Sequence, residues 1–151
     1  MAVHTVRRTK PAVALLRQGK ILLVEERTEE RARMATVLAD EGHQVRECSS
    51  CSRAIDLLAD ESFDIVLLGQ GTRAEQECEV VEWARAADPK LPVVMLVNDP
   101  EILDSYEPIR REVAEYVPKP ISRFEVNELK ETVRRYMKPR VFVLNLEKAS
   151  Q

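Results

Sequence analysis

The stretch Lys20-Ile21-Leu22-Leu23-Val24-Glu25-Glu26 sets four aliphatic residues in a row and ends them on two acids. Alternating apolar and polar residues would mark a strand with one wet face. An unbroken run this short marks a strand covered on both faces, as in a parallel sheet. Outward from it the pattern repeats: a second strand at 44–48, a third at Ile65-Val66-Leu67-Leu68, a fourth at 93–97 after Pro92, and a fifth at Tyr116-Val117. Between them, apolar residues recur near a 3.6 period, which predicts helices. Residues 29–41 carry Ala32, Ala35, Leu38 and Ala39 and stop at Gly42; residues 51–61 turn Ala54, Leu57 and Leu58 inward. Residues 75–87 place Val80, Val81, Trp83 and Ala84 in the core, and 122–136 place Phe124, Val126, Leu129 and Val133 there. With a fourth helix sought within 100–111, strand and helix alternate five times. The expectation is an α/β fold with a doubly wound parallel sheet, its chemistry beyond the carboxyl ends of the strands. Those ends read Glu25-Glu26, Gly69-Gln70-Gly71, Val97-Asn98-Asp99 and Lys119-Pro120.

The chain has 151 residues, 44% hydrophobic and 32% charged, enough for one domain with short extensions. No apolar run approaches the ~20 residues a membrane span needs. Three cysteines make no disulfide framework, so a cytoplasmic setting is expected. The net charge of -3 hides a division: residues 1–20 carry Arg7, Arg8, Lys10, Arg17 and Lys20 and no acid. Residues 1–19 therefore read as a basic, solvated N-terminal arm with no secretion signal, and 138–151 as a C-terminal extension.

Three segments carry a family resemblance. Leu22-Leu23-Val24-Glu25-Glu26, Phe63-Asp64-Ile65-Val66-Leu67-Leu68 and Tyr116-Val117-Pro118-Lys119-Pro120 occur in order and at matching separations. Residues 20–137 thus resemble the receiver domain of bacterial two-component response regulators. The resemblance implies a flavodoxin-like sheet of order 2-1-3-4-5. In that family an aspartate ending the third strand accepts a phosphoryl group from a histidine kinase. Mg2+ is held by that aspartate, an acidic pair and a backbone carbonyl; a threonine or serine and a lysine then contact the phosphoryl group. Carried over, the acceptor position is Gly69 and the hydroxyl position Val97, neither of which has the required oxygen. Glu25, Glu26, Gly69, Val97, Lys119 and Pro120 form a degenerate pocket, with no catalytic residue and no cofactor or metal expected. The resemblance implies a cis Lys119–Pro120 bond, and Lys119 is expected to pair with Glu25 or Glu26.

The expected function is a phosphorylation-independent, non-enzymatic receiver acting as a protein-interaction module in bacterial signalling. Pro108 should break the fourth helix, leaving a turn near 101–105 and a second near 108–112. The rebuilt face would offer Tyr106, Ile109, Arg110, Arg111 and Tyr116 to a protein partner. Only 15 residues follow Tyr136, too few for a helix-turn-helix output domain. One alternative is a working phosphoacceptor using a displaced carboxylate; Asp99 is nearer the right edge, though on the loop past the fourth strand, whereas Asp64 belongs to the far end of its strand. A second is a basic-armed nucleic-acid-associated regulator, although nucleic acid is not the expected partner. A third, a nucleotide binder, lacks a phosphate loop after the first strand, where Glu25-Glu26 would repel the ligand. Cys48-Ser49-Ser50-Cys51 reads as packing, not as a redox or zinc motif. Residues 141–146 alternate as a strand, extending the sheet beside the fifth strand or pairing with a partner or second copy, which allows for a homodimer.

Overall fold

The computed structural model describes residues 12–71, 73–98, 106–107, 110–120 and 122–144. Along the chain lie β1 (Ala12–Leu16), β2 (Lys20–Val24), α1 (Thr28–Asp40), β3 (Gln44–Cys48), α2 (Cys51–Asp60), β4 (Ile65–Gly69), α3 (Ala74–Ala87), β5 (Val93–Val97), β6 (Glu115–Pro118), α4 (Arg123–Tyr136) and β7 (Arg140–Leu144). Five of the strands form one parallel sheet of order β3-β2-β4-β5-β6. This is the doubly wound arrangement expected, with the aliphatic runs as its strands.

The two faces of the sheet make two cores. Leu22, Val24, Val66, Leu68, Val93 and Met95 meet α2 and α3 through Ala54, Leu57, Val80 and Ala84. The alternate residues Ile21, Leu23, Ile65, Leu67, Val94 and Leu96 meet α1 and α4 through Met34, Leu38, Leu129 and Val133. Each fully buried aliphatic side chain is worth about 1.5–3 kcal/mol, so the central strands anchor the domain. Truncation of Leu67, which is wholly buried between β2 and β5, to alanine would cost about 2–5 kcal/mol. Local capping agrees with this plan. Ser50 caps α2 by accepting from Arg53 N at 3.1 Å. Ser122 and Glu125 form a reciprocal capping box at the start of α4.

Several expectations are corrected. The N-terminal arm is not wholly irregular: its residues 12–16 form β1, which pairs antiparallel with β7. The C-terminal strand accordingly does not extend the main sheet; β1 and β7 make a separate two-stranded ribbon, Ala12 opposite Leu144 and Leu16 opposite Arg140. An antiparallel neighbour at its own end of the domain satisfies β7 without a crossover. Trp83 is 51% exposed and Phe124 73% exposed, so neither is core. Trp83 lies at the margin of the buried stripe of α3, and Phe124 stands in the first turn of α4, where helix meets water.

No α-helix occurs between β5 and β6 among the described residues. Tyr106 and Glu107 form a short turn, and Arg110 N donates to Glu107 O at 3.4 Å. The expected turn at 101–105, and Pro108, Ile109 and Asp99, lie outside the described residues.

Candidate functional site

The parallel register assembles the site. Val24 stands opposite Leu68, Gly69 opposite Leu96, and Val97 opposite Pro118, so four strand ends open on one edge of the sheet. Beyond β6, Lys119 N donates to Val97 O at 2.8 Å, continuing the ladder by one residue and directing the lysine across the edge. Glu25, Glu26, Gly69, Val97, Lys119 and Pro120 thus all lie at or just past these strand ends. The Lys119–Pro120 bond is trans, as no peptide bond described is cis; trans is the lower-energy form of an X–Pro bond.

Lys119 Nζ lies 3.0 Å from Glu25 Oε2 and 3.2 Å from Glu25 Oε1, with Glu30 Oε2 at 3.6 Å. Both partners of the main pair are buried: the side chains are 6% and 1% exposed. Glu25 is held further by its main chain, since Arg31 Nη1 donates to Glu25 O at 2.8 Å. Its Oε1 also accepts from Arg27 N at 3.3 Å.

Gly69 explains where that carboxylate can go. A Cβ placed on Gly69 would collide with Glu25 Oε2 and lie 3.0 Å from Glu25 Cδ. The absence of a side chain on β4 and the extra methylene on Glu25 are therefore complementary. The glutamate carboxylate of one strand occupies the room that a side chain on the next would need. A similar relation holds one step out, where a Cβ on Gly71 would lie 2.5 Å from Glu26 Oε1. The glycines leave a cavity of about 240 Å³, lined by Glu26, Cys51, Gly69, Gly71, Arg73 and Glu77 among others.

A divalent cation here would need several oxygens in near-octahedral order. Glu25 is committed to Lys119, Gly69 has no side-chain oxygen to give, and Glu26 is exposed at the rim of the cavity. Among the described residues no three histidine, cysteine or acidic side chains converge in metal-binding geometry. The donor set does not fit the ion.

Sequence reading missed Glu77. It lies on the buried stripe of α3 with Val80, Val81 and Ala84, and burial raises its carboxyl above the ordinary range. Tyr106 Oη donates to Glu77 Oε2 at 2.8 Å, and Gly71 N donates to Glu77 Oε1. An acid spaced three and four residues before Val80 and Val81 was the available signal.

This bond corrects the reading of Tyr106 as a partner contact. Its side chain is 0% exposed, drawn inward because a buried carboxylate requires a donor. Arg110 and Arg111 are exposed, and Arg110 Nη1 pairs with Glu107 Oε2 at 3.1 Å. Tyr116 is half-buried; burial pushes its phenol up while the neighbouring Arg110 pulls it down. Both members of the C-x-x-C are free thiols pushed up to about 11, first by burial.

Comparison with known proteins places this geometry. The sequence profile of the response regulator receiver domain matches residues 21–134. Over 105 residues the chain is 29% identical to the alginate biosynthesis transcriptional regulatory protein AlgB of Pseudomonas putida, covering 70% of this chain and 23% of that protein. Over 118 residues it is 27% identical to the response regulator protein FleR of Pseudomonas aeruginosa, covering 78% and 24%. The chain spans about a quarter of the length of these curated relatives. Among solved structures, NtrX from Brucella abortus in complex with ATP superposes with a TM-score of 0.64 at 26% identity, covering 78% of this chain and 27% of that one. TrrA from Thermotoga maritima, in complex with Mg2+ and BeF, superposes with a TM-score of 0.68 at 20% identity, covering 78% and 98%. The second likeness is one of fold.

Proposed function

Because the chain belongs to the response regulator receiver domain family, we propose that it is a receiver whose switch has been replaced by a fixed ion pair, working without phosphorylation as a protein-interaction module. A receiver domain of this kind serves signal transduction; the finer claim is supported by one observation. Glu25 fills the space beside Gly69 and holds Lys119, the residue that in the family answers to the phosphoryl group. Acceptance would require an aspartate at 69, where glycine stands, and readout a hydroxyl where Val97 has methyl groups.

The chain's own residues then act by shape. Lys119 neutralises Glu25 inside a poorly hydrated edge, and the Tyr106 to Glu77 bond fastens the segment between β5 and β6 against α3. Arg110, Arg111 and the half-buried Tyr116 remain at the surface that would meet a protein partner, presented in one state. No helix of the described residues is long and apolar enough to cross a membrane.

Beryllofluoride or acetyl phosphate with Mg2+, followed by amide NMR, tests this reading. The expected spectrum is unchanged. Shifts clustered at residues 25, 69, 97 and 119 would overturn it.

A further inference from the structure

At the other end of the sheet, where β4 and β5 begin, a groove of about 410 Å³ runs between the C-terminal turns of α2 and α3. Its floor is apolar, formed by the buried Leu58, Phe63 and Leu91. Its wall is Trp83, the only tryptophan of the chain and 51% exposed. A tryptophan presented beside an apolar groove is the residue type most enriched at energetic centres of interfaces.

The rim adds a sign. Asp60, Glu61 and Asp88 line the groove, and none of its lining residues is basic. Glu61 is already matched by Lys20 at 2.7 Å and Arg46 at 3.0 Å, and Asp88 Oδ1 accepts only a backbone bond, from Lys90 N. The negative potential at the groove therefore comes from Asp60 and Asp88, both exposed. Around it, Asp56 on α2 and Glu79 and Glu82 on α3 are exposed too, and they outnumber the nearby cations Arg85, which donates to Pro89 O, and Lys90, while Lys20, over the Phe63 ring, is taken up by Glu61, so the approach stays acidic.

From this charge complementarity we propose that the groove between α2 and α3 docks a cationic peptide segment of a partner protein. An aliphatic side chain would enter over Leu58 and Phe63, and an arginine or lysine would lie on the face of Trp83 with its charge toward Asp60 and Asp88. The surface is distant from Gly69, so its test is independent of the phosphorylation assay.

The probe is a fluorescein-labelled heptapeptide of alternating arginine and leucine, titrated against the full chain, with its glutamate-for-arginine counterpart as control. Binding of the basic peptide alone should shift the emission of Trp83. The Trp83→Ala variant should bind about tenfold more weakly, and Trp83→Phe should recover most of the loss, as expected for a central aromatic anchor. Asp60→Asn with Asp88→Asn should weaken binding about fivefold and flatten its salt dependence. Equal binding by Trp83→Ala, or no shift of Trp83 emission, would overturn the proposal. So would a Trp83 shift that follows protein concentration without peptide, since a second copy would then cover the groove.

Discussion

Glu25 Oε2 stands in the space that a Cβ on Gly69 would occupy, so any side chain at 69 requires the Glu25 carboxylate to move, away from its place beside Lys119. Glycine at 69 thus suits the glutamate at 25 where it now lies, and each must be changed with the other in mind.

Gly69→Asp alone is expected to destabilise the domain by about 1–3 kcal/mol through overpacking at a buried edge. Shortening the neighbour at the same time, as Glu25→Asp with Gly69→Asp, should return much of that loss. Urea denaturation of the two single variants and the double would show it as a coupling above ~0.5 kcal/mol. Strictly additive effects would mean that the two side chains do not compete.

Lys119→Met removes the cation from a buried carboxylate and should cost about 3–5 kcal/mol, far more than loss of a surface pair. The cost should fall sharply when Glu25→Gln is made in the same chain. Chemical denaturation of both proteins is the measurement, and a Lys119→Met midpoint equal to the parent's would refute the pairing.

Glu77 gives a pH signature. Burial raises its carboxyl in the folded protein, so between the ordinary carboxylate range and that raised value the native state binds more protons than the unfolded chain. Its contribution to stability is present at low pH and declines as pH climbs through that window. The Glu77→Gln variant should lack this negative slope, so the slope should stand alone in the difference between the two stability curves. Tyr106→Phe, which withdraws the donor to Glu77 Oε2, should cost about 1–3 kcal/mol at neutral pH.

Cys48 and Cys51 should be poor nucleophiles. With both thiols at about 11 against an ordinary 9.0, each holds roughly a hundredfold less thiolate at neutral pH than an unperturbed thiol. Alkylation of the native protein by iodoacetamide, read by mass spectrometry, should leave both largely unmodified until urea is added.

The sheet was legible because Ile21–Val24, Ile65–Leu68 and 93–96 are buried on both faces, and continuous aliphatic runs encode that directly. The pocket was legible to the extent that it consists of strand ends. Helix periodicity was weaker at its margins: it put Trp83 and Phe124 inside because a 3.6 period does not say how far a neighbouring element reaches. Tyr106 was read as a surface residue because its burial depends on Glu77, 29 positions earlier, and no local pattern carries that pairing. The strand at 141–144 was visible, but its partner was not; an apolar strand does not name the edge it will join, and the basic charge around 12–16 concealed β1.

The β1–β7 ribbon has a mechanical meaning. Ala12 and Leu144, the outer ends of the two strands, face one another in register, whereas Leu16 and Arg140 form the end nearest the five-stranded sheet. A force drawing Ala12 and Leu144 apart meets the hydrogen bonds of the ribbon one after another, as teeth of a zipper, and not all together in shear. In a force-extension trace the ribbon should open first, as a small separate event. The receiver sheet would bear load only afterwards, so the ribbon acts as a fuse between the chain on either side and the fold it encloses.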